Sequence, residues 1–96
     1  MMKTEVESDE VNFPIKVYPN PFIKEVLIEF IPAQDTYVVI ELYSSTGSLE
    51  NLLFNDRANS NKIYKILLNN KTIGVGTHYI VFRTDKNMQL KKLIRL

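Results

Sequence analysis

Tyr37-Val38-Val39-Ile40-Glu41-Leu42-Tyr43-Ser44-Ser45-Thr46-Gly47, residues 37–47, reads as one strand running into a tight turn. Val38, Ile40 and Leu42 alternate against Tyr37, Val39, Glu41 and Tyr43, the period of two that lets a strand bury one face. Ser44-Ser45-Thr46-Gly47 predicts a hairpin turn, because Gly47 supplies positive φ without a steric cost. Helix is a poor reading here and elsewhere. Apolar residues do not recur at spacings of three and four, and no run of ten or more residues escapes a turn signal.

Working outward, the same grammar repeats. Leu49 to Phe54 is a strand closed by a polar loop from Asn55 to Asn61. Ile63 to Leu68 follows, with Tyr64, Ile66 and Leu68 facing one way and Lys65 the other. After the Asn69-Asn70-Lys71 turn, a Gly74-x-Gly76 segment leads into Tyr79 to Thr84. Asp85-Lys86-Asn87 then turns into Met88 to Leu96. Upstream, Glu25 to Ile31 sets Val26, Ile28 and Phe30 on one face and Glu29 on the other, and Pro32-Ala33-Gln34-Asp35 ends it. Ile15 to Tyr18 is a short first strand behind Phe13-Pro14. Residues 1–14 are polar and acidic without periodicity, so they read as a linker or an added lead-in to a domain at 15–96. Seven strands joined by short connections predict an all-β fold, a seven-stranded antiparallel β-sandwich of the immunoglobulin-like or fibronectin-like kind.

The bulk composition is that of one globular domain. The chain has 96 residues, 45% hydrophobic and 24% charged, enough for a single core without metal or disulfide staples. Net charge is +1, from 12 Lys and Arg against 11 Asp and Glu, which leaves no basic footprint for nucleic acid. The charge is unevenly spread. Glu5, Glu7, Asp9 and Glu10 crowd the start, while Arg83, Lys86, Lys91, Lys92 and Arg95 crowd the end; both read as solvated ends. With no cysteine, disulfide frameworks and thiolate metal sites are excluded. Met1-Met2-Lys3-Thr4-Glu5 does not open a signal peptide, and no stretch approaches the roughly 18 apolar residues of a membrane span.

Few residues suggest chemistry. His78 is the single histidine, and a metal ligand needs partners, so it reads as structural or exposed. Ser44, Ser45, Ser48 and Ser60 lie in turns without a His–acid arrangement. Asp35, Asp56 and Asp85 sit in loops, where aspartate bonds nearby backbone. Gly74 and Gly76 precede a strand and not a helix, so they make no phosphate loop. No cofactor is expected. Tyr37, Tyr43, Tyr64 and Tyr79 form a possible aromatic strip of the sort that grips glycans. Pro19 and Pro21 force extended backbone on their predecessors, and Asn20 between them holds a turn through its own backbone. That corner reads as a rigid strand end, whether or not anything recognises it.

Val17-Tyr18-Pro19-Asn20-Pro21-Phe22 is the most distinctive string. It resembles the opening of the C-terminal sorting domains carried by proteins that Bacteroidetes export through type IX secretion. That family begins with a "YPNP" strand-turn, matched by Tyr18, Pro19, Asn20 and Pro21. Val26, Ile28 and Phe30 match its second strand, and Leu42, Tyr43 and Gly47 match its hairpin. Gly76 and Tyr79 stand near its "G-x-Y" strand start, and Lys91-Lys92-Leu93-Ile94 matches its Lys-rich closing strand. The resemblance spans about residues 15–96. It departs at two points. Gly76-Thr77-His78-Tyr79 holds one residue more than "G-x-Y", through either a bulge or a looser match, and serines replace an acidic residue at 44–48.

The resemblance implies a non-catalytic secretion signal at the C-terminus of a cargo protein, covalently joined on its N-terminal side. It implies partners in the outer-membrane type IX machinery and in a sortase-type protease that removes the signal after export. The cargo then reaches the cell surface or the medium by way of the periplasm. The rival reading is an immunoglobulin-like module that binds glycan or protein through its tyrosine face. A spacer inside an adhesin is a third reading, disfavoured by a chain that ends on its last strand. Lys91, Lys92 and Arg95 either guard a sheet edge or lie where the machinery reads.

Overall fold

β1 (Ile15–Tyr18), β2 (Glu25–Phe30), β3 (Thr36–Ser44), β4 (Leu49–Ala58), β5 (Tyr64–Asn69), β6 (Gly76–Arg83) and β7 (Met88–Arg95) follow one another in the computed structural model, which describes residues 13–96. The expected lead-in therefore lies, for residues 1–12, outside the described residues. The strands form a three-stranded sheet in the order β1-β2-β5 and a four-stranded sheet in the order β4-β3-β6-β7. Every strand pair is antiparallel. The all-β sandwich with seven strands is the fold that the alternation predicts. β4 sits beside β3 and not beside β5, unlike the constant-type immunoglobulin order. The tight Ser44–Ser48 connection explains this, since a short hairpin keeps consecutive strands in one sheet.

The core lies between the sheets. Val26, Ile28 and Phe30 of β2 and Leu68 of β5 face Val38, Ile40 and Leu42 of β3, Ile80 and Phe82 of β6 and Leu93 of β7. Two connectors add apolar plugs: Phe22, between β1 and β2, and Ile73, between β5 and β6, are both buried. Phe30 anchors an aromatic cluster. It stacks on Tyr64 with ring centroids 5.1 Å apart and meets the edge of Phe54 at 5.3 Å; such pairs add to what area burial contributes.

Two details depart from the sequence reading. The polar stretch after Phe54 is not a loop. Asn55, Asp56 and Arg57 continue β4, opposite Val39, Val38 and Tyr37. An edge strand needs no apolar alternation when its outer side meets water, so composition hides it. Of the two readings of the extra residue between Gly76 and Tyr79, the bulge is the one that the register does not support. β6 keeps unbroken register with β7 from Gly76 and with β3 from His78, whereas the β3–β4 ladder slips at Ile40/Glu41 and at Leu42/Tyr43. Those slips leave Leu53 and Glu50 without a cross-strand partner. The first lets the consecutive residues Leu53 and Phe54 both pack against the core, which an unbroken strand forbids.

Phe30 is fully buried, so Phe30→Ala leaves a cavity between the sheets. The expected loss is about 3–5 kcal/mol of unfolding free energy, read from urea denaturation of the purified domain.

Candidate functional site

The opening string and the closing strand meet. β1 ends at Tyr18, and the chain then leaves the three-stranded sheet to run along the free side of β7. Both prolyl bonds here, Tyr18-Pro19 and Asn20-Pro21, are cis. Asn20 does not close a local turn as its sequence context suggests. Its side-chain amide donates to the Lys92 carbonyl at 2.7 Å, and its side-chain oxygen accepts from the Ile94 N–H at 3.0 Å. One side chain thus imitates a peptide group on a sheet edge. Two residues on, the Phe22 N–H donates to the Ile94 carbonyl and the Leu96 N–H donates to the Phe22 carbonyl, both at 2.9 Å. The bridge between Phe22 and Arg95 is parallel, and the Phe22 ring enters the core.

Register brings further motif residues to the same end. Gly76, at φ 117°, opens β6 opposite Arg95. Gly47, at φ 92°, turns the β3–β4 hairpin just beyond the Ser44–His78 pair. A side chain at either glycine would be strained whatever the space around it. Tyr79 stands between Tyr43 and Lys92 on the outer face of the four-stranded sheet. Lys91 and Lys92, adjacent in sequence, point to opposite faces, so Lys91 is half-buried and Lys92 exposed. Arg95 does not guard an edge. It reaches back to donate to the Ile73 carbonyl at 2.7 Å.

The residues that sequence reasoning missed hold this end together. Phe22 is the first of two apolar residues after the prolines, and the sequence does not say that Phe22 is buried while Ile23 is exposed. His78 is buried, with one ring nitrogen 2.7 Å from the Glu50 carboxylate and the other 2.8 Å from the Gly74 carbonyl. A neutral ring donates only one of these bonds, and a ring protonated on both nitrogens donates both. Glu50 reaches His78 from one of the β4 bulges, a partner that no spacing in the sequence announces. Among the described residues, no three His, Cys, Asp or Glu side chains gather as metal ligands.

The four tyrosines do not make one strip. Tyr64 faces inward onto Phe30. Tyr37, Tyr43 and Tyr79 share the outer face, but the Tyr37 hydroxyl donates to Asn55 and the Tyr43 hydroxyl to Glu41. Glu41 also accepts two bonds from Arg83, at 2.9 and 3.1 Å, and holds that guanidinium above its usual pKa.

Asn20→Ala removes both side-chain bonds to β7. Net bonds of this kind contribute about 0.5–1.5 kcal/mol each, so the expected result is faster amide hydrogen exchange at Ile94 and Leu96 with a modest loss of stability. Asn20→Asp keeps an acceptor for Ile94 but sets a carboxylate against the Lys92 carbonyl, so exchange quickens there too. Tyr18 gives a second test. Its hydroxyl donates to Glu29 at 3.2 Å. That bond, then lost hydration, then the neighbouring negative charge raise its pKa above 10.0. Because the fold favours the neutral phenol, the contribution is present below the ordinary tyrosine value and is lost as pH rises through the raised one. In an NMR titration, Glu29→Gln should return Tyr18 ionisation towards the ordinary value.

Comparison with known proteins matches this chain to the family described as "Secretion system C-terminal sorting domain" over residues 16–95. No curated protein matches significantly. Among solved structures, the chain is similar to dimeric latent PorU from Porphyromonas gingivalis, with a TM-score of 0.62 and 22% identity. That similarity covers 85% of this chain and 9% of the PorU chain, and it speaks to the fold. With the family's pattern running through most of its length, the chain belongs to the C-terminal sorting domains, the signals that send proteins through type IX secretion to the cell surface or the medium.

Proposed function

We propose that this domain performs no chemistry itself and acts as the part of an exported protein that the type IX machinery recognises. The cargo is joined on its N-terminal side. An outer-membrane translocon reads the folded domain, and a sortase-type protease at the cell surface removes it once the cargo has crossed. One observation carries the reading. Asn20 of the opening motif is hydrogen-bonded to β7 at Lys92 and Ile94, so the two most family-specific strings form one surface although 72 residues separate Asn20 from Lys92. A recognition element split between segments far apart in sequence is presented only by the folded domain, which makes folding part of the signal.

In this reading Tyr18, Pro19, Asn20 and Pro21 give the surface its shape, and Gly47 and Gly76 set the turn and strand start beside it. Tyr79 on β6 and Lys91 and Lys92 on β7 supply aromatic and cationic groups. The rival reading, a glycan-binding tyrosine face, is weakened by the inward turn of Tyr64 and by the bonded hydroxyls of Tyr37 and Tyr43.

The test fuses residues 13–96 to a reporter bearing an N-terminal signal peptide, in a host with type IX secretion. The expected outcome is reporter at the cell surface or in the medium; a reporter stranded in the periplasm would sink the proposal. Asn20→Ala should lower export in proportion to the loosening of β7 seen by hydrogen exchange.

A further inference from the structure

The free edge of β7 is finished along only part of its length. In an antiparallel ladder the peptide groups of alternate residues turn away from the neighbouring strand. Asn20 and Phe22 bond the Lys92 carbonyl, both peptide groups of Ile94 and the Leu96 N–H, so the even-numbered residues of β7 are those that turn away from β6. The same alternation aims the peptide groups of Met88 and Leu90, and the Lys92 N–H, out of the sheet where residues 20–22 do not reach. A row of this kind is a template for an added strand.

Beside that row, exposed apolar side chains stand next to the lysines. Leu90 is 56% exposed and Met88 48%, and both border a shallow hollow on the outer face that Tyr43, Tyr79 and Val81 also line. The charge around it is mostly positive. Lys86, Lys91 and Lys92 lie on or next to this stretch, Asp85 is the nearby carboxylate in sequence, and Arg83 is engaged by Glu41. A second copy of the chain paired through this edge would set Lys91 and Lys92 close to their own counterparts. An acidic segment would not meet that repulsion.

We propose that the N-terminal half of β7 is a docking edge on which an acidic, extended segment of another protein adds one short strand. This rests on the export reading above and names the surface of the domain that the secretion machinery grips. The added strand bonds the outward N–H and carbonyl of Leu90 and the Lys92 N–H, the Lys92 carbonyl being held by Asn20. It seats one apolar side chain in the hollow beside Leu90 and turns carboxylates towards Lys91 and Lys92. Residues 20–22 set its limit, since they already fill the edge position beside Ile94.

The reporter fusion carrying the complete chain tests this. Leu90→Pro deletes one outward N–H while leaving the β6 ladder its donors, a substitution that edge strands accept. Leu90→Glu keeps the peptide group but puts a carboxylate in the hollow, and Lys92→Glu reverses the charge beside it. The expected result is export of the parent and of Lys92→Arg, with export at least about tenfold lower for the other three, as when one good contact is lost from an association. Their unfolding temperatures should stay near the parent's. Leu49→Glu, on the equally exposed far edge (56%), should be exported normally. If Leu90→Pro does not fold, Leu90→Glu decides. A parent held in the periplasm overturns the export reading and this inference with it. An exported parent alongside folded, exported Leu90 variants overturns the docking edge alone. Sedimentation of the free chain as a dimer that Leu90→Glu splits would give the edge to a second copy and overturn the acidic partner.

Discussion

Ile94 donates its peptide N–H to the Asn20 side chain and accepts the Phe22 N–H at its carbonyl, and through these bonds the chain's last strand is held. β7 has a strand neighbour on one side only, so its other side needs a tie. Here the tie comes from the connector that leaves β1, a segment that changes sheets on the way to β2. Bonds of this kind contribute about 0.5–1.5 kcal/mol each, whereas burying a large apolar side chain contributes about 1.5–3 kcal/mol. The Phe22 ring therefore supplies much of the attachment, while the hydrogen bonds fix its register. Neither suffices alone. A ring without the bonds could slide along β7, and the bonds without the ring would compete with water.

A comparable division of labour holds at the other margin of the four-stranded sheet. β4 slips twice against β3. One slip turns Leu53 and Phe54 together towards the core, and the other leaves Glu50 free of the ladder to meet His78. His78 in turn fixes Gly74 just before Gly76 starts β6. Polar side chains at this end of the molecule mostly serve the backbone: Asn20 on β7, His78 on Gly74 and Arg95 on Ile73. Such side chains fix the shape of backbone and edges, which is what a surface read by another protein requires.

Much of this was legible in the residues. The alternation of Val26, Ile28 and Phe30 and of Val38, Ile40 and Leu42 marks the buried faces of β2 and β3, because a strand's side chains must alternate. The turn at Gly47 followed from its freedom to take positive φ. The extension of β4 through Asn55, Asp56 and Arg57 was not legible, since an edge strand exposed on its outer side can be polar. Nor was the bulge at Glu50, because register is a property of two strands and the sequence presents one at a time.

By itself, then, the sequence determined the all-β class, the number of strands, most of the core and the family, all of which depend on local periodicity, turn chemistry or an ordered motif. Only the tertiary structure decided that Asn20 bonds Lys92 and Ile94, and that β7 is closed at one end and open at the other. Those features belong to pairs of segments up to 74 residues apart. Their geometry exists only once two sheets have packed, because the position of a free edge is set by which strands have already found partners.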